Sequence, residues 1–287
     1  MKSRSTTLFI SLFFVLILGS SSCDLINPEE KIPAFIRIDS ISVNSAGHGN
    51  NVNDIVDAWV FDNEQLVGVY ELPAVVPILH SGDVNIRIRP GVKLNGQAAS
   101  RWKYEFLQDF LGTVELFEGS VINLNPTLPY KDGAITAWDE DFDTSSQQSL
   151  TVTTMSEAGV AIVTGEEAYD TKSAKLSLPL NLNFFECKTN RSFDLPSGGA
   201  SVILEFSYKG NFPFVVSVIS TSPGGSVQTP ILQVNASDEW KHIYISLTDI
   251  ATNYFTAEHT PVFGYIRNED APDEISVYLD NIKLTHF

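Results

Sequence analysis

Six residues in the C-terminal half carry the side chains that a sugar ligand would need: His242, Tyr244, Tyr265 and Tyr278, with Glu205 and Arg267 as polar companions. Aromatic faces stack on the apolar faces of sugar rings, and planar polar groups bond to hydroxyls. In the stretch from Trp240 to Leu247, Ile243, Ile245 and Leu247 share one parity, which leaves His242 and Tyr244 on the opposite face of a strand. Tyr265 and Tyr278 are read as alternating away from apolar neighbours in the same way. A concave sheet carrying these side chains is the candidate binding surface. The same tyrosines would serve equally well to cover a second packed layer or a contact between domains. Trp240 itself follows a Ser-Asp-Glu turn and is expected beneath a loop.

Catalytic constellations are not evident, and a non-catalytic chain is expected. His48, His80, His242, His259 and His286 are scattered without metal-ligand spacing, and Cys187 has no histidine beside it in sequence. Carboxylates are abundant, but no stretch isolates a pair of the glycosidase kind, and no glycine-rich phosphate loop occurs.

The amino terminus supplies an address. Met1-Lys-Ser-Arg-Ser-Thr-Thr carries two cations and runs into an apolar stretch from Leu8 to Leu18. That stretch is shorter than the roughly 20 residues a membrane-crossing helix needs, so it reads as a secretory leader. Small residues in Leu18-Gly-Ser-Ser-Ser-Cys23 precede a cysteine, which resembles the cleavage box of Bacteroidota-type lipoproteins. The resemblance implies that residues 1–22 are removed, that Cys23 is acylated (palmitate among its chains), and that the protein is lipid-anchored in a bacterial outer membrane, exposed at the cell surface. Asp24, Glu29 and Glu30 make residues 23–30 an acidic tether, read as a surface-export signal or simply as a solvated linker. With Cys23 acylated, Cys187 has no intramolecular partner and no disulfide framework arises.

The chain has 35 acidic and 18 basic residues, a formal net charge of −17. Such a surface repels phosphate backbones, so nucleic acid is not an expected partner. Apolar residues are mostly β-branched or aromatic and come in short runs among 18 Gly and 14 Pro. The expected fold is all-β, with length enough for two domains.

The first domain, residues 31–128, is expected to be a small β-sandwich. Asp57-Ala-Trp-Val-Phe61 and Gln65-Leu-Val-Gly-Val-Tyr70 flank a turn at Asp62-Asn63-Glu64, the clearest hairpin of the chain. Glu71-Leu-Pro-Ala-Val-Val-Pro77 cannot be an interior strand, because its prolines donate nothing to a ladder, and it should cross between sheets. Val84, Ile86 and Ile88 should face inward and Arg87 and Arg89 outward. Trp59 and Phe61 are expected in the core, as are Trp102, Tyr104 and Phe106, although the latter three would also suit an exposed patch. This order of elements resembles the PEGA and transthyretin-like surface repeats, which implies an Ig-like or transthyretin-like sandwich.

Residues 129–137 read as a linker with little to pack. From residue 138 to 287, nine short strands are expected, at about 150–154, 159–164, 174–178, 201–208, 213–220, 228–234, 240–247, 262–267 and 274–284. Only Asp249 to His259 has room for a helical turn. The sequence Trp138-Asp-Glu-Asp-Phe-Asp143, the segment from Tyr169 to Leu178, the Trp240 strand and the closing stretch from Ile275 to Leu284 resemble, in order and spacing, the jelly-roll carbohydrate-binding modules with a galactose-binding-like fold. The resemblance implies glycan binding. It also implies that first and last strands are neighbours, which would bring Asp143 and Asp280 together near the turn from Glu167 to Thr171, where such modules often hold one structural calcium ion. Calcium takes about six to eight hard oxygens, backbone carbonyls included. Two solvated acids on an acidic surface are the other reading of the same residues. The resulting expectation is an envelope lipoprotein that binds a glycan, or alternatively a structural or adhesive lipoprotein that docks another envelope protein.

Overall fold

The computed structural model describes residues 30–143 and 149–287. The leader, Cys23 and the tether before Glu30 lie outside the described residues. The first part contains β1 (Ala34–Ile38), β2 (Ser42–Asn44), β3 (Asp57–Asp62), β4 (Gln65–Glu71), β5 (Ala74–Ile78), β6 (Gly82–Lys93), β7 (Arg101–Lys103), β8 (Phe110–Leu116), β9 (Val121–Asn123) and β10 (Thr127–Pro129). The second contains β11 (Ile135–Glu140), β12 (Leu150–Val152), β13 (Val160–Thr164), β14 (Lys172–Leu178), β15 (Phe184–Thr189), β16 (Phe193–Asp194), β17 (Val202–Gly210), β18 (Phe214–Ser222), β19 (Gly225–Val234), β20 (Ser237–Ser246), a short helix α1 (Thr248–Asn253), β21 (Glu258–Ile266) and β22 (Ile275–His286). The chain is all-β.

In the first part, β4-β3-β6-β7, with β8 also on β6, faces β5-β1-β9 across a core of Ile36, Ile38, Val60, Ile86 and Ile88. The hairpin from β3 to β4 turns on Asn63 and Glu64, whose φ values of 45° and 69° match the twist of the flanking strands. After β4 the chain leaves this sheet at Leu72-Pro73 and joins the other as the edge strand β5, where Pro77 pairs with Phe35. Trp59 and Phe61 correct the expected parity. Ala58 and Val60 take the inner face, while the Arg87 guanidinium lies 4.2 Å over the Phe61 ring and the Lys103 ammonium 4.8 Å over that of Trp59.

The second part is a double-sheet sandwich. One sheet runs β13-β14-β22-β17-β20, with β11 also paired to β22; the other runs β12-β15-β21-β18-β19, with β16 also on β21. Between them lie Leu204, Phe206, Ile243, Ile245, Val277 and Leu279 from the first sheet and Phe185, Phe214, Val216 and Phe263 from the second. Phe206 and Phe263 meet edge to face at 5.3 Å. In β22 the inward set begins as Ile275, Val277 and Leu279. Asn281, at φ 50°, forms a bulge against β17, after which Ile282 and Leu284 point inward.

The two parts share a seam. Ile203 and Tyr244, on the outer face of the β17–β20 sheet, belong to the first part's hydrophobic core. The Tyr104 hydroxyl lies 3.2 Å from each oxygen of Glu205, the Lys283 ammonium donates to Asn50 O at 2.6 Å, and Tyr244 accepts the Asp54 N–H at 2.8 Å. Leu94 and Tyr244 form a single β-bridge, and Asn95 N donates to Tyr244 O at 2.7 Å.

Candidate functional site

The outer face of the β13-β14-β22-β17-β20 sheet is where four of the six predicted ligand residues arrive, and the first domain divides them. Glu205 and Tyr244 are 2% exposed, covered by Tyr104 and the first domain's core. Their side chains face the way the alternation predicts, but onto protein. Burial next to Glu205 drives the Tyr244 and Tyr104 hydroxyls well above the ordinary tyrosine range, so both are neutral donors or acceptors. His242 bonds Ser207 Oγ at 3.0 Å through Nδ1, while its Nε2 stands 3.8 Å from Glu205 and has no partner within the protein. Glu205 and Tyr244 thus form a domain contact, not an open concave sheet, while His242 borders the cavity at the seam.

Tyr265 and Arg267 are corrected for a different reason. In β21 it is Phe263 and Tyr265 that point into the sandwich, with Gly264 and Ile266 outside. The Tyr265 ring stacks on Phe185 at 5.3 Å, and its hydroxyl donates to Leu176 O at 2.9 Å. Arg267 fastens loops together: its guanidinium donates to the carbonyls of Leu178 (2.9 Å), Pro179 (3.0 Å), Leu182 (2.9 Å) and Pro272 (2.6 Å). Neither side chain is available to a ligand.

Tyr278 stays on the uncovered half of the sheet and has company that the sequence did not reveal. Trp240, expected under a loop, lies half-buried with its ring 6.4 Å from Tyr278 and 5.3 Å from Tyr169, both contacts edge to face. The Lys209 ammonium sits 5.5 Å from the Trp240 ring and 5.2 Å from that of Tyr278, with Lys175 5.4 Å from Tyr278 on the other side. Glu167 accepts from the Tyr278 hydroxyl at 2.6 Å and from Lys175 at 2.9 Å, and these two bonds hold its carboxyl below the usual range. The three aromatic rings form a ridge between two depressions. One, of about 410 Å³, is lined by Lys175, Lys209, Asn211, Asp238 and Tyr278. The other, of about 610 Å³, lies at the seam between domains and is walled by Asn53, Asp54 and Asn95 on one side and by Tyr169, Trp240 and His242 on the other. The signal that would have found the ridge is parity: Trp240 shares a face with His242 and Tyr244.

The opposite sheet carries a groove of about 420 Å³, lined by Gly264, Phe184, Val215 and Ile266. There Gln228 donates to Glu186 at 2.7 Å. A side chain at position 264 would press on Phe185 O at 3.0 Å.

Asp143 and Asp280 do come near one another, close enough for the Asp143 carboxylate to act on Asp280. Burial foremost, with the Asp143 and Asp141 charges adding to it, pushes the Asp280 carboxyl up to about 7 against the opposing bonds from Ser173 and Asn281. A calcium ion needs free oxygens here. Asp280 instead accepts from Ser173 Oγ at 2.5 Å and Asn281 N at 2.6 Å, and Asp143 accepts from Lys172 N at 2.7 Å. The Lys172 ammonium itself donates to Asp143 O at 3.1 Å. Among the described residues no group of three or more His, Cys, Asp or Glu gathers to hold a metal.

No protein-family model matches the sequence, and no curated protein sequence matches it. Solved structures resemble it distantly. The CBM22-1 xylan-binding domain from Paenibacillus barcinonensis Xyn10C is 12% identical, with 54% of this chain and 97% of that one covered at a TM-score of 0.40. A structure of carbohydrate-binding modules from the β-sandwich superfamily is 12% identical over 90% of this chain and 99% of that one, at 0.41. TmCBM61, solved with β-1,4-galactotriose, is 15% identical over 52% and 95%, at 0.35. The β-sandwich architecture of this chain is read from its own strand pairing, described above.

Proposed function

We propose that this chain is a non-catalytic glycan-binding lipoprotein of the bacterial outer membrane, anchored through Cys23, whose second domain holds a saccharide on the ridge of Tyr169, Trp240 and Tyr278. The observation that carries this reading is the ridge: three partly exposed aromatic rings in one row, with amide, ammonium and carboxylate groups in the depressions on both sides. Ring faces supply the apolar contact that water cannot, and flanking polar groups supply direction. The anchor rests on the lipoprotein-like leader.

The test is affinity electrophoresis of the full mature chain through gels containing a panel of polysaccharides, beside Trp240→Ala and Tyr278→Ala variants. Retardation by at least one polysaccharide, lost in both variants and kept in Tyr265→Phe, is expected. Absence of retardation throughout, or retardation indifferent to Trp240 and Tyr278, would overturn the assignment.

A further inference from the structure

The ridge runs into a wall. Beyond Trp240 the same sheet face continues through His242 to Tyr244, but there the first domain closes over it: the Leu94 bridge, the Asn95 N–H bond to Tyr244 O and the Asp54 N–H bond to the Tyr244 hydroxyl seal the edge strand β20. The loop comes this close because Gly96, at φ 66°, has only hydrogen facing Ile243; a Cβ there would stand 3.3 Å from Ile243 Cδ1. A glycan lying across Trp240 therefore cannot continue along the sheet.

From this geometry we infer that the seam cavity receives the end of a saccharide chain, a terminal or branch sugar, so that the first domain supplies half of a composite binding site. The inference rests on the glycan reading above. At about 610 Å³ the cavity falls within the range of about 300–1,000 Å³ common to small-molecule sites. Its walls hold the groups a polyol engages: the Trp240 ring, the Asn53 and Asn95 amides and the Asp54 carboxylate. Asn95 lines the cavity on the first-domain side, opposite Trp240. A chain end fits where an internal stretch of polymer does not, because a polymer needs two ways out along the sheet.

The experiment measures affinity of the full chain, by titration calorimetry, for a ladder of structurally defined oligosaccharides cut from whichever polysaccharide retards it, with ends free and with ends capped. Affinity is expected to depend on the terminal sugar and to level off with length. Asn95→Gly, which suits the left-handed backbone, and Asp54→Ala, which keeps the backbone bond to Tyr244, are each expected to weaken binding roughly tenfold at unchanged melting temperature. Affinity that climbs steadily with length, is indifferent to capping, or is unaltered by both variants while Trp240→Ala abolishes it would overturn the composite site and leave the glycan reading standing. Failure of every polysaccharide to bind would remove both.

Discussion

The Tyr104 hydroxyl faces both oxygens of Glu205 at 3.2 Å, so a residue of the first domain is the donor that a buried carboxylate of the second depends on. The Lys283 ammonium at 3.9 Å and the His242 ring at 3.8 Å stand farther off. Leaving a buried acceptor without its donor costs about 1–3 kcal/mol. Tyr104→Phe is expected to lower the stability of the whole chain by that amount in a single melting transition seen by calorimetry. Two separate transitions would show that the seam does not couple the domains.

Asp280 should give the sandwich an unusual pH response. Its folded pKa of about 7 lies above the ordinary carboxylate value of about 4, so between those limits the folded state binds more protons than the unfolded one. Its contribution is therefore greatest below about pH 4 and is lost as pH rises toward 7. The melting temperature of the parent chain should fall relative to Asp280→Asn across this window. Millimolar calcium should leave that difference unchanged; its disappearance with calcium, and return with chelator, would establish a cation at the two aspartates.

Arg267 tests the reassignment of a residue from ligand contact to loop clamp. A lysine cannot reproduce its planar fork of donors to the Leu178, Leu182 and Pro272 carbonyls. Arg267→Lys is expected to destabilise by about 1–3 kcal/mol in denaturant titrations while the affinity for any bound saccharide stays the same. A selective loss of affinity at full stability would restore it to the binding site.

Lipidation has its own measurement. Cys23→Ser should move the protein from the membrane fraction to the soluble one and abolish incorporation of a labelled fatty acid. Continued membrane association would defeat the anchor.

The all-β fold was legible because burial writes alternation into strands, as at Ile275, Val277 and Leu279. What alternation hides is a change of phase. Asn281 bulges the same strand, and nothing in the spacing of Ile282 and Leu284 says which way the parity turns. The strand Phe184–Thr189 escaped notice although Phe185 and Cys187 alternate with Glu186 and Lys188, because only three of its six residues are apolar. Tyr244 illustrates a deeper limit: its face was predictable, but whether that face meets water or a neighbouring domain is decided by residues such as Tyr104 and Asp54, more than a hundred positions away in the chain. Trp240 lies outside that cover, across the seam cavity from Asn53, Asp54 and Asn95.

The two side chains that the sandwich lends to the first domain's core, Ile203 and Tyr244, bear on how this protein can be taken apart. A module joined to its neighbour by a linker alone can be excised, duplicated or transplanted as a cassette. Here, cutting near residue 130 would strip a lid from the oily interior of one piece and leave a phenol and an isoleucine stranded in water on the other. The pair should therefore travel through evolution, and through any protein engineer's hands, as one inseparable unit.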